Sequence, residues 1–422
     1  VSFVYWFRPL PICRDQKTMS DTNQEFSELL GFLQDQKVEV QRFAAEGVLD
    51  QTENVEFVEY CRRNPRSAAR PLLRLAERAE ADKAAEAATS AKASSATGNA
   101  EKAALMHAAI SMAAGEAALK ALVNLSAVPA VQDELVSLNA PKRLTEVLRG
   151  GWLEGRVDLA HWYAMILANV TSSKQGQEAV CKDEGMLNFL ISAFVAKARP
   201  PPRDGYDDPL LDLGKVLVNV SALPEGRKIL AGGEAGGGTL ATIFSELGDR
   251  GRRADVINVV KNMCLDKTCH KAVVATDLIL LLAAFLYPLE KVEAGQRKLP
   301  AAFLAVLEKE GAALTGDAAI RAAASVSFIG LIRSLEGREY LRATGSEEVL
   351  RAWLLEESQE SIKSNIEVVM PAVQMSEEEL DAVARQNQES STGGAGYATS
   401  AQPAAPEAPD VPKSSAALDE PE

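Results

Sequence analysis

Three histidines, five cysteines and 5% aromatic residues in 422 positions leave this sequence short of the side chains that most chemistry needs. With His107, His161 and His270 alone there is little for base catalysis or for a multi-histidine metal site, so neither a catalytic residue, a metal nor a cofactor is expected. The cysteines (Cys13, Cys61, Cys181, Cys264, Cys269) are odd in number and too scattered for a disulfide framework, and they read as reduced thiols of a cytoplasmic or nuclear protein. Few aromatics beside abundant Ala and Leu favour helices packed side to side over a sandwich or barrel. A lysine-arginine stripe interleaved with aromatics is missing, and a net charge of -14 repels phosphate backbones, which excludes nucleic acid as a partner. Long apolar runs are also missing. The most apolar one, Leu278 to Tyr287, falls well short of the roughly 20 residues that span a bilayer, so it is expected to be a buried core helix and no membrane association is expected.

Isolated motifs weaken on inspection. Cys264, Cys269 and His270 lie close together but lack an evident fourth ligand, and thiols at helix ends are commonly small buried hydrophobes. The stretch Gly232 to Thr239 has no lysine before its threonine and follows a helical pattern, which makes it a loop and not a phosphate cradle. Ser376 followed by Glu377, Glu378 and Glu379 ahead of Leu380 and Val383 has the form of a helix N-terminus. The opening segment, residues 1–18, is apolar around Arg8 without a basic leader or a small-residue cleavage site; it is set aside as a leader outside the fold, with Met19 as the expected start.

What the sequence does contain is a repeat. Ala121-Leu122-Val123-Asn124-Leu125-Ser126 returns as Ile166-Leu167-Ala168-Asn169-Val170-Thr171, as Val216-Leu217-Val218-Asn219-Val220-Ser221 and as Val259-Val260-Lys261-Asn262-Met263-Cys264. The asparagines stand 45, 50 and 43 residues apart, the period of two- or three-helix armadillo or HEAT units. Each phrase leads through a short polar turn into another apolar-periodic helix. Aligning Glu336-Gly337-Arg338 on Glu225-Gly226-Arg227 adds a fifth copy, with Gly330 in place of the asparagine. The fold class expected is therefore all-α: an armadillo/HEAT-like right-handed superhelical solenoid with a disordered C-terminal tail. Its parts are a divergent N-terminal repeat at 19–76, an Ala/Glu/Lys-rich linker at 77–104 that is either a solvated helix or disordered, armadillo-like repeats at 105–385 and a Pro/Ala/Ser-rich tail at 386–422.

A mid-helix asparagine amid apolar neighbours needs a hydrogen-bond partner. Two partners fit. Either each side chain stitches its repeat to the next, or Asn124, Asn169, Asn219 and Asn262 line one face with Lys120, Lys215 and Lys261 beside them and hold the backbone of a client segment. The lysines would favour an acidic or neutral client.

The Leu-x-Asn-Leu-Ser phrases resemble the third helix of armadillo repeats, where nuclear import receptors hold an extended cargo peptide on such asparagines. Those receptors place tryptophan four residues earlier; here the position carries Lys120, Met165, Lys215 and Asn258, so a cage for basic side chains is not implied. From Ala118 to Met375, the order Ala121 to Ser126, Val218 to Ser221, Val260 to Leu265 with His270, and Leu281 to Leu289 is similar to the HGH-one homolog family of armadillo-like proteins. That resemblance implies a cytoplasmic chaperone adaptor whose client is newly made translation elongation factor two and whose partners are the cytosolic chaperonin and a heat-shock chaperone. The alternative is a cytosolic or nuclear adaptor that binds linear peptide motifs in transport or signalling.

Overall fold

The computed structural model describes residues 16–93, 99–153, 158–196, 208–232, 238–293, 298–310, 314–376, 378–379 and 382. Most of the 1–18 leader and the whole 386–422 tail lie outside them. Among the described residues the regular structure is helical throughout.

Helices follow one another in threes. After α1 (Gln16–Phe32) and α2 (Val38–Gln51) come α3 (Val55–Arg63), α4 (Pro65–Ala93) and α5 (Asn99–Leu125). The next units are α6 (Pro129–Ser137), α7 (Ala140–Leu153) and α8 (Ala160–Val170), then α9 (Lys174–Cys181), α10 (Glu184–Phe194) and α11 (Leu213–Ser221), then α12 (Pro224–Leu230), α13 (Gly238–Ser245) and α14 (Arg253–Leu265). The last two are α15 (His270–Val274) and α16 (Leu278–Leu286) with an extra α17 (Ala301–Glu310) before α18 (Ala318–Leu331), and α19 (Leu335–Ala343), α20 (Ser346–Glu356) and α21 (Glu360–Gln374). In each unit the third helix packs on the third helix of the unit before, so α2, α5, α8, α11, α14, α18 and α21 stand side by side. This is an armadillo-like solenoid. No unit can bury both of its apolar faces alone, and the stack supplies the core.

The local sequence explains the breaks between helices. Pro129 and Pro224 open α6 and α12, where an N–H would be unsatisfied in any case. Ser173, Asp183, Asp317 and Ser334 accept from backbone N–H groups at the starts of α9, α10, α18 and α19. The Leu278 to Tyr287 run is a buried helix as expected, with Leu278, Ile279, Leu282, Ala283, Phe285, Leu286 and Tyr287 all in the core.

One expectation narrows to one of its alternatives and a second changes. The 77–104 segment is helical on both sides of 94–98, which lie outside the described residues: α4 runs through to Ala93 and α5 begins at Asn99. Ala, Glu, Lys and Arg are strong helix formers, and tight contact extends the pairing to Ala79, whose Cβ would lie 2.7 Å from a Cβ added at Gly115. Secondly, Lys102–Leu125 within α5 is long and apolar enough to cross a membrane by length and composition, a stretch hidden from a search for unbroken apolar runs by Glu116 and Lys120. In the fold its C-terminal half is core, with Ala114, Ala118, Leu119, Ala121 and Leu122 fully buried.

A second compact unit, Met375–Glu422, is described at only a few residues. There Ser376 Oγ accepts from Glu379 N (3.2 Å) while a Glu379 carboxylate oxygen accepts from Ser376 N (2.8 Å). This reciprocal cap is the helix start expected from the sequence, and it holds the Glu379 carboxyl below its ordinary value.

Candidate functional site

The third helices carry the recurring asparagines near their C-termini, and the structure gives each asparagine a partner in the preceding unit. Asn169 Nδ2 donates to the Val123 carbonyl (3.0 Å) and to Ser126 Oγ (2.9 Å). Asn219 Nδ2 donates to the Ala168 carbonyl and Thr171 Oγ1, both at 3.1 Å. Asn262 Nδ2 reaches Ser221 Oγ at 2.8 Å and the Val218 carbonyl at 3.4 Å. Asn124 Nδ2 donates to Thr52 Oγ1 at the end of α2 (2.8 Å).

The register is constant. Each of the three later asparagines bonds the carbonyl one residue before the previous asparagine and the hydroxyl two residues after it. The Ser or Thr in the repeated phrase is therefore part of the device, because it donates backward to its own helix and accepts the next asparagine. That pairing was visible in the sequence as Asn-x-Ser/Thr, but its role needed the neighbouring helix.

Gly330 follows the same logic. A Cβ there would lie 2.4 Å from the Cys264 carbonyl oxygen, so α14 and α18 meet backbone to backbone and an asparagine has no room. A second row of stitches lies eight residues beyond Asn219, Asn262 and Gly330. Arg227 Nη1 donates to the Ser221 carbonyl (2.9 Å) and its Nε to Asp266 of the next unit (2.7 Å). His270 Nε2 must donate to the Cys264 carbonyl (2.6 Å), since a carbonyl only accepts, which leaves Nδ1 to accept from Ser334 Oγ (2.6 Å). Burial lowers the His270 pKa and keeps this neutral form. Arg338 Nη1 donates to the Ile332 carbonyl (2.9 Å) in the corresponding position.

Helical spacing places four groups of side chains on the face that carries the rungs: Lys120 with Asn124; Trp162 and Met165 with Asn169; Asp212 and Lys215 with Asn219; Asp255 and Asn258 with Asn262. The lysines are not a free positive track. Lys120 pairs with Glu116 at 2.7 Å and lies 5.6 Å from the centre of the Trp162 ring. Lys215 pairs with Asp212 at 2.5 Å. Lys261 donates to Asn258 Oδ1 (2.8 Å), and burial depresses its pKa. Charge alone thus gives no preference for an acidic client, contrary to the expectation from sequence, because each lysine finds its partner within its own or a neighbouring helix. The tryptophan of this face stands seven residues before its rung, where a search at four missed it.

Breaking the stitches has a stated consequence. Asn169→Ala with Asn219→Ala leaves the Val123 and Ala168 carbonyls without these donors, and urea denaturation should show a loss of about 2 to 4 kcal/mol. A double variant as stable as the parent would mean that the asparagines do not hold the stack.

No curated protein matches the sequence. Among solved structures, the chain is similar to a designed armadillo repeat protein in complex with the peptide (KR)4, at 13% identity over 62% of this chain and 93% of that one, with a TM-score of 0.46. It is also similar to a second designed armadillo repeat protein (12% identity, 82% and 99% covered, TM-score 0.37). A third similar chain comes from work on a phosphorylation switch that controls the interaction between cadherin and beta-catenin (10% identity, 84% and 80% covered, TM-score 0.43). Over residues 153–298, a span that carries Asn169, Asn219, Asn262 and His270, the chain matches the family described as a domain of unknown function, DUF383.

Proposed function

We propose that this chain is a non-enzymatic cytoplasmic scaffold whose rung-bearing face holds an extended segment of a client protein. The observation that carries it is the row of four asparagines at one register, each with Nδ2 engaged in the stack and Oδ1 accepting no hydrogen bond among the described residues. A face that repeats an open acceptor once per unit offers periodic contacts to a chain laid along it.

The client we propose is translation elongation factor two, with transfer to the cytosolic chaperonin and a heat-shock chaperone. Its support is the resemblance to the HGH-one homolog family, carried by the phrases around Asn124, Asn219 and Asn262 and by His270. Affinity purification of the full tagged chain from a eukaryotic cytosol is expected to enrich newly synthesised elongation factor two. Its absence, with enrichment of transport or signalling proteins that share a short linear motif, would favour the motif-reading adaptor instead.

A further inference from the structure

We infer that Arg338 and Arg342, one turn apart on α19, form a receptor for a phosphate group, either free or carried by a partner protein. The site lies on the first helix of its unit and does not depend on the rung-bearing face.

One edge of the Arg338 guanidinium is unoccupied. The side chain is 1% exposed, and only Nη1 has a partner, the Ile332 carbonyl (2.9 Å). Nε and Nη2 are buried without a hydrogen bond. Those two N–H groups leave the guanidinium plane side by side, the geometry that holds two oxygens of one carboxylate or phosphate group. The chain uses that edge elsewhere. Arg321 holds both oxygens of Glu357 through Nε and Nη2, and Arg227, which occupies the place of Arg338 in an earlier unit, closes its Nε on Asp266 (2.7 Å). Asp266 directly follows α14, whereas the residue that directly follows α21 is the uncharged Met375. A buried guanidinium in this state is costly, and an oxyanion on its open edge removes the cost.

Arg342 selects the kind of oxyanion. Its spacing of four residues puts it on the same face of α19 as Arg338, and its Nη1 donates to the Val373 carbonyl near the end of α21 (3.0 Å). It is half-buried, so solvent reaches the pair from its side. Neither arginine forms an ion pair among the described residues, and Glu336 and Glu339 of the same helix are exposed and pair with neither. Two positive charges without a counter-charge call for two negative ones. A carboxylate brings one, whereas a phosphate group brings close to two at neutral pH and keeps a third oxygen for Arg342.

The test follows the thermal midpoint of the full chain at constant pH and ionic strength while chloride is exchanged for inorganic phosphate, acetate or a short phosphoserine peptide, with the unphosphorylated peptide as control. Inorganic phosphate and the phosphoserine peptide are expected to raise the midpoint saturably, and acetate and the control peptide to leave it unchanged. Arg342→Gln, at a half-buried position, should weaken phosphate binding about tenfold. Arg338→Lys, which keeps the charge and removes the paired donors, should weaken it at least as much. Saturation by the peptide at lower concentration than by inorganic phosphate supports a phosphorylated partner as the source, and the reverse order supports the free ion. A phosphate response that is equal in the parent and Arg342→Gln, that does not saturate, or that acetate reproduces overturns the inference. If Arg338→Lys does not fold, Arg342→Gln decides alone.

Discussion

Gly226→Ala is expected to destabilise the fold by about 3 kcal/mol or more, read as a lowered urea midpoint. A Cβ at Gly226 would lie 2.0 Å from the Val220 carbonyl oxygen, 2.7 Å from its carbon and 3.2 Å from Cys181 Sγ. The first contact is backbone against backbone, so no side-chain rotation can relieve it, and α12 would have to move off the end of α11. That displacement would also strain the Arg227 bonds to the Ser221 and Ala222 carbonyls and to Asp266. Gly176 and Gly337 stand at the corresponding place, each with the same 2.0 Å approach, to the Val170 and Leu331 carbonyls. Gly150→Ala is the control. It lies in α7 with nothing within 4 Å of an added Cβ, and it should gain up to about 1 kcal/mol from reduced unfolded-state entropy. Equal effects at Gly226 and Gly150 would refute the close-approach explanation.

Glu357→Ala is the second large change, expected to cost about 3 to 5 kcal/mol. Its carboxylate is fully buried and bidentate on Arg321 (2.8 and 3.1 Å), and it also accepts from Trp353 Nε1 (2.9 Å) and from the backbone N–H groups of Ser358 (2.9 Å) and Gln359 (3.0 Å). Removing it strands a buried guanidinium. Burial by itself raises the Glu357 pKa, but the hydrogen bonds from Arg321, Gln359 and Trp353 together hold it at about 2 against an ordinary 4.5. The carboxylate therefore contributes its stability in full above pH 4.5 and loses it as pH falls from 4.5 through about 2, a contribution of about 3 kcal/mol. The parent should lose stability across that window more steeply than Glu357→Gln does. Replacing both partners, Arg321→Met with Glu357→Leu, should recover much of the loss, since no unpaired charge remains. A double variant no more stable than Glu357→Ala would argue that packing, not the stranded charge, sets the cost.

Much of the solenoid was legible along the chain because its signal is local. Apolar residues at helical spacing, prolines and hydroxyl residues at helix starts, and one phrase recurring at 43 to 50 residues all act within a turn or a unit. The all-α class, the third-helix position of Asn124, Asn169, Asn219 and Asn262 and the buried helix from Leu278 follow from them. The resemblance at those phrases added an implied client but no geometry.

The partners of those side chains were decided only by tertiary structure. Hydrogen bonds between residues 41 to 72 positions apart depend on how neighbouring units are rotated and spaced, which one unit's sequence does not encode. The same holds for Gly330, which in sequence looks like a lost polar group and in the stack is the place where two backbones touch. Lys120 and Lys215 differ, since their counter-charges, Glu116 and Asp212, stand four and three residues earlier in the chain, a spacing the sequence already carries. Periodicity set which residues recur at one register on the third helices, because that depends on turns within a helix. Only the packing of one third helix on the next decided which of their atoms the stack consumes.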